Sequence, residues 1–140
     1  MNRSLLTIGR GSQLARILII DDEDDIRDVL TRFLQLCGYE VFVAADGRLN
    51  PSVEDEMPVD LVVTDIIMPN NEGIETIRKF RLDYPDMKII AMSGGGSIEA
   101  EKYLLLAEKL GAYATLRKPF KLEEFNKLVI QSLSKSGDPQ

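Results

Sequence analysis

Leu61-Val62-Val63-Thr64-Asp65-Ile66-Ile67-Met68-Pro69 is a nearly continuous apolar run that carries one carboxylate and is closed by proline. A run this short and this rich in valine and isoleucine predicts a strand buried on both faces, the environment of a parallel sheet. Asp65 falls where that strand leaves the core. In open parallel sheets, ligands bind beyond the carboxyl ends of the strands. An aspartate taken alone at this place would do no more than cap the following turn. Its function depends on what the other strands bring beside it.

Working outward, residues 16–20 (Arg-Ile-Leu-Ile-Ile) read as a first buried strand running directly into Asp21-Asp22-Glu23-Asp24-Asp25. Ile26, Val29, Leu30, Phe33, Leu34 and Cys37 then recur at helical spacing, and Gly38 stands where a helix C-cap is expected. Residues 39–44 read as a second strand. The segment 46–58 should hold a helix made short or irregular by Pro51. After the Asp65 strand, Ile74, Ile77, Phe80 and Arg81 predict a helix over about 72–84. Residues 88–92 form a fourth strand that meets Ser93-Gly94-Gly95-Gly96-Ser97. A helix over about 98–110 precedes Gly111, with Ser97 suited to cap its start. Residues 113–117 give a fifth strand, followed by Lys118-Pro119-Phe120. A last helix, over about 122–134, carries Leu122, Phe125, Leu128, Val129 and Leu133 on its buried stripe. Strands alternating with helices require right-handed crossovers and a doubly wound α/β fold, a parallel sheet with helices on both faces. One domain over 15–136 is expected, with a flexible leader at 1–14 and a short tail at 137–140.

Composition narrows the chemistry. The formal net charge of −6 argues against nucleic acid or an anionic membrane as the main partner. A single cysteine, Cys37, cannot form an intramolecular disulfide, which fits a reducing cytoplasmic setting. No stretch has the length and apolarity of a membrane span or a signal peptide. Without histidine, neither an ordinary structural zinc site nor a serine–histidine or cysteine–histidine nucleophilic pair can be built. Carboxylates, hydroxyls, lysines, backbone amides and a hard metal ion such as magnesium remain.

All strands of a parallel sheet end on one edge, and four of the five expected ends carry a reactive group: Asp21 and Asp22, Asp65, Ser93, and Lys118. Two carboxylates about 5 Å apart at an effective dielectric of about 20 repel by about 3 kcal/mol. A divalent cation relieves that repulsion, and an all-oxygen donor set suits Mg2+. Lys118 adds a fixed positive charge, Ser93 a hydroxyl, and the glycines that follow it allow amides to approach an anion. Together these groups form a phosphoryl-transfer site with Asp65 as nucleophile and an aspartyl phosphate as product. The rest of the acidic run has a simpler explanation: Asp24 and Asp25 complement the N-terminal dipole of the first helix.

The chain resembles a receiver domain of the two-component response regulators. The resemblance rests on Ile20-Asp21-Asp22-Glu23, Asp65-Ile66-Ile67-Met68-Pro69 with Gly73, Ser93, Gly111-Ala112 and Lys118-Pro119-Phe120. It covers about residues 15–134 and implies a flavodoxin-like five-stranded sheet of order 2-1-3-4-5. It further implies Mg2+-dependent phosphotransfer to Asp65 from a histidine kinase or histidine phosphotransfer protein. By position, Asp22 and Asp65 would bind the metal directly with the carbonyl of Ile67, Asp21 would act through water, and Ser93 and Lys118 would hold the phosphoryl oxygens. The phosphorylated form would then switch a surface toward a downstream protein, making this a signalling domain limited to self-phosphorylation and autodephosphorylation.

Three features depart from the family pattern. Thr115 stands three positions before the lysine, where an aromatic residue is frequent; Tyr113 shares its face by strand alternation without occupying that slot. Pro51 interrupts the second helical region. No output module is legible before Gln140, as expected of a stand-alone regulator or of a piece of a longer one. Two rival readings remain: a magnesium-dependent phosphatase, which would need an acid/base that Ile67 cannot supply, and a receiver that serves only as a binding module, against which the acidic set argues.

Overall fold

Among the described residues, five short parallel strands pair in one sheet, the second in chain order at one edge, followed by the first, third, fourth and fifth. The computed structural model describes residues 14–45, 59–66, 72–94 and 97–134. The elements are β1 (Arg16–Ile20), α1 (Asp24–Leu36), β2 (Glu40–Ala44), β3 (Leu61–Asp65), α2 (Glu72–Asp83), β4 (Lys88–Gly94), α3 (Ile98–Lys109), β5 (Ala114–Lys118) and α4 (Leu122–Leu133). The leader up to residue 13, the expected helix within 46–58, Ile67 and the tail lie outside the described residues.

Side chains alternate across a strand, so a sheet covered on both faces needs apolar residues at every position of its central strands. Leu18, Val62, Ile89 and Ala91 join one core, where Ile74, Ile77 and Phe80 of α2 and Leu104 and Ala107 of α3 pack. Their neighbours Ile17, Ile19, Leu61, Val63, Ile90 and Met92 join the other, with Leu30 and Leu34 of α1 and Phe125 and Val129 of α4. Every residue of β3 is buried, as its composition requires of the middle strand.

Local chemistry sets the helix ends. The Ser97 hydroxyl accepts the Ala100 amide at 2.9 Å and starts α3. Beyond α1 and α3 the chain turns through Gly38 and Gly111, with φ of +99° and +109°, a region that glycine enters without steric cost.

Three expectations shift. Val29 and Cys37 of the expected α1 stripe are exposed, as is Leu122 at the start of α4. Val29 and Leu122 line a surface groove instead of the sheet core. β4 continues two residues beyond Met92, so Ser93 and Gly94 pair with Arg117 and Lys118 inside the sheet. Tyr113 precedes β5; its amide donates to the Ile89 carbonyl at 2.7 Å and its ring lies under the Lys88 ammonium at 5.3 Å, at the sheet edge remote from Asp65.

The feature that positions Asp65 is the butt contact between β3 and α2. A Cβ at Gly73 would overlap the main-chain Cα, carbonyl carbon and oxygen of Ile66, the residue directly after Asp65. The Ile66 amide meanwhile donates to the Met92 carbonyl at 2.9 Å, tying the strand end to β4. Backbone cannot yield as a flexible side chain does, so Gly73→Ala should destabilise the fold by about 2 kcal/mol or more. Urea unfolding of the two proteins checks this, with the shift seen in the midpoint and little change in slope.

Candidate functional site

The carboxyl edge of the sheet gathers the chemistry. Asp21, directly after β1, is fully buried, and Asp65 at the end of β3 is nearly so, while Asp22 stands exposed. One carboxylate oxygen from each of the three lies within 4.8 Å of the others. Hard oxygen donors gathered on one edge fit a divalent cation such as Mg2+ in kind.

Lys118 enters from the end of β5. Its ammonium donates to Asp21 Oδ2 at 2.8 Å, to Asp65 Oδ2 at 3.0 Å and to Glu23 Oε1 at 3.3 Å. The side chain is only 13% exposed. Burial by itself would lower the lysine pKa, but the hydrogen bonds and charges of Asp21 and Asp65 outweigh it and hold the group well above the ordinary lysine range. The amine therefore stays charged throughout the physiological range, a fixed internal counter-ion.

Asp21 is anchored from several sides. Its amide donates to the Ala44 carbonyl at 3.2 Å, its Oδ1 accepts the Glu23 amide at 2.9 Å, and its carbonyl accepts Arg27 Nη1 at 2.5 Å. Ser93 is buried, yet among the described residues its hydroxyl makes only a long bond, 3.3 Å, to the Gly94 carbonyl. A contact at that length for O–H···O leaves the hydroxyl weakly held and free to turn toward an anion. The sheet thus brings Asp21, Asp22, Asp65, Ser93 and Lys118 to one edge, Asp21 and Asp22 just after β1 and the other three within the last residues of β3, β4 and β5; Ile67 lies outside the described residues.

Sequence reasoning missed Glu23 as a third partner of Lys118, the Arg27 contact, and a groove of about 410 Å3 beside Lys118 lined by Ile26, Val29, Pro119, Phe120 and Leu122, among others. The groove had a signal: apolar residues of α1 and α4 too numerous for one buried stripe each. The Glu23 and Arg27 contacts depend on how the β1–α1 loop turns, which periodicity does not encode.

A doubly wound parallel sheet with an acidic trio and a half-buried lysine at its carboxyl edge defines a signalling domain of the phosphoryl-accepting class. The chain belongs to the response regulator receiver domain family, whose pattern it matches over residues 17–130. It is 38% identical over 120 residues to a probable transcriptional regulatory protein of Picosynechococcus sp., covering 81% of this chain and 47% of that protein. It is 34% identical over 128 residues to the DNA-binding transcriptional regulator NtrC of Azospirillum brasilense, covering 89% of this chain and 25% of that protein. The crystal structure of a CheY-like receiver domain protein from Methanospirillum hungatei JF-1 superposes with a TM-score of 0.74 at 33% identity, covering 86% of this chain and 94% of that one. The chain therefore spans a quarter to a half of the length of these curated relatives.

Three carboxylates facing one lysine leave an excess of negative charge. Asp22 is the one that can be neutralised without stripping Lys118 of a partner. Asp22→Asn should raise the melting temperature in chelator by a few degrees, and added Mg2+ should then raise it less than it does for the parent chain. Differential scanning calorimetry with and without the ion provides both readings.

Proposed function

We propose that Asp65 accepts a phosphoryl group from the phosphohistidine of a sensor kinase or a histidine phosphotransfer protein, in a Mg2+-dependent step that switches a partner-binding surface. The observation that carries this reading is Lys118 seated between Asp21 and Asp65 where three carboxylates converge. Asp22, Asp65 and the Ile67 carbonyl would hold the metal, with Asp21 acting through water. Bound there, the ion supplies positive charge to the phosphoryl oxygens as negative charge builds on them.

The chain's own groups do the remainder. A carboxylate oxygen of Asp65 attacks phosphorus in line, the phosphorus–nitrogen bond breaks, and its electron pair returns to the donor imidazole. Lys118 exchanges its Asp65 contact for a phosphoryl oxygen. The Ser93 hydroxyl gives up its long bond to Gly94 and donates to another. No acid from this chain is required when the distal ring nitrogen of the phosphohistidine carries a proton, because the donor then leaves as neutral imidazole. The product is the phosphorylated domain itself, with chemistry limited to self-phosphorylation and autodephosphorylation.

Incubation with acetyl phosphate and Mg2+, read by intact mass, should give a single phosphoryl adduct. Asp65→Asn should give none, and undiminished labelling of that variant overturns the assignment. Rapid release of inorganic phosphate without a persisting adduct would favour a phosphatase instead.

On this reading α3 carries part of the switched surface. Leu104 is 2% exposed and Ala107 fully buried, whereas Leu105 and Leu106 are 54% and 39% exposed. Consecutive leucines fan across about 200° of helix surface, and one buried stripe cannot take all three. Thr115 is too small to signal by turning a ring, and its hydroxyl lies 3.5 Å from Glu108 on α3. The glycine segment between Ser93 and Ser97 is then the two-state element that phosphate must bias. Phosphorylation should change amide exchange protection over 93–104 and much less around Thr115, as hydrogen-exchange mass spectrometry can check. If Tyr113→Ala removed that change while the adduct still formed, an aromatic switch would be operating instead.

A cytoplasmic setting is part of the same proposal; among the described residues no helix is long and apolar enough to cross a membrane. With a net charge of −6, the domain is itself poorly suited to contact nucleic acid. DNA binding by NtrC belongs to a protein of which the matched stretch is 25%.

A further inference from the structure

Arg27 sits where helix electrostatics disfavour it. It belongs to the first turn of α1, whose N-terminus carries partial positive charge and is better served by acids such as Asp24 and Asp25. The side chain is nevertheless drawn in, only 19% exposed. One arm of its guanidinium, Nη1, donates to the main-chain carbonyl of Asp21 at 2.5 Å. The other, Nη2, donates to the carboxylate of Asp24. A planar fork that spans two acceptors fixes both in a way a single ammonium cannot.

The carbonyl it holds belongs to the peptide joining Asp21 to Asp22. With that peptide plane held, the direction in which the chain launches the Asp22 side chain is fixed as well. The Asp21 amide, carbonyl and both carboxylate oxygens are all engaged, by Ala44, Arg27, Glu23 and Lys118. Asp22, exposed and outside this set of bonds, depends on the rigidity of that peptide for its aim toward Asp65.

We propose that Arg27 is a positioning residue for the acidic pocket: by clamping the Asp21–Asp22 peptide it holds the Asp22 carboxylate in place for a divalent cation. The inference rests on the Mg2+-binding reading of this pocket. Charge and positioning predict opposite signs, which makes the role testable. If Arg27 acted on the pocket only through its charge, removing it would make the pocket more negative and tighten Mg2+. If it clamps the loop, removing it loosens Asp22 and weakens Mg2+ by about tenfold or more, the scale on which partners that orient metal ligands act.

Isothermal titration of the whole chain with MgCl2 at pH 7 measures this directly, with no phosphorylation required. The parent chain comes first: absence of binding there would overturn the metal reading of the pocket and leave Arg27 with no ion to position. Given binding by the parent, a weaker dissociation constant in Arg27→Ala is the expected result. An unchanged or tighter constant overturns the proposal, even if the melting temperature falls, since that would be a purely structural contribution. Should Arg27→Ala fail to fold by circular dichroism, Arg27→Lys decides. It keeps the charge but can engage one acceptor at a time, so a smaller weakening supports the clamp and an unchanged or tighter constant refutes it.

Discussion

Carboxylates gathered at one sheet edge repel one another, and the Lys118 ammonium is what lets this edge hold together. Asp21 and Asp65 come from adjacent strands, β1 and β3, whose parallel pairing ends them side by side. Lys118 arrives from β5, separated from β3 by β4, and crosses that strand to reach both. Buried charges are tolerated when paired and hydrogen-bonded, and here a single cation serves two buried anions and one exposed one. Strand order, helix placement and the apolar character of β3 all serve to bring these ends into register.

The same pairing accounts for the site's readiness. A lysine already bonded to both aspartates offsets part of the pocket's negative charge and leaves an excess that Asp22 carries. Ser93 is placed with similar economy of motion: buried, opposite Arg117 in the β4–β5 ladder, its hydroxyl restrained only by one long contact. On the outer side of that ladder, Arg117 makes two short bonds to Glu101, at 2.6 and 2.5 Å, so α3 is fastened to β5 one residue before the lysine.

Much of this was legible in the order of residues. Short valine- and isoleucine-rich runs, each followed by a polar residue, define a parallel sheet whose ends converge, because period and burial leave no other arrangement for Leu61–Asp65. Asp21, Asp65, Ser93 and Lys118 were placed by counting from those strand ends. The limits of α1 were less legible, since Val29 has the right spacing for the core yet lines the groove beside Lys118. Periodicity shows which face of a helix is apolar but not how far the helix overhangs its sheet. The Arg27 contact with the Asp21 carbonyl was invisible for another reason: it joins a side chain to main chain across a loop, and main chain carries no sequence signal.

The close fit of Gly73 against Ile66 has a mechanical consequence. With no side-chain cushion between them, the start of α2 and the tip of β3 meet main chain to main chain, and little room is left for sliding at that joint. The opposite flank of the edge is built differently: β4 leads through a glycine segment into a helix whose start rests on one serine cap. The Asp65 edge is thus flanked by a main-chain abutment on the α2 side and, on the α3 side, by the Arg117–Glu101 tie and the Ser97 cap.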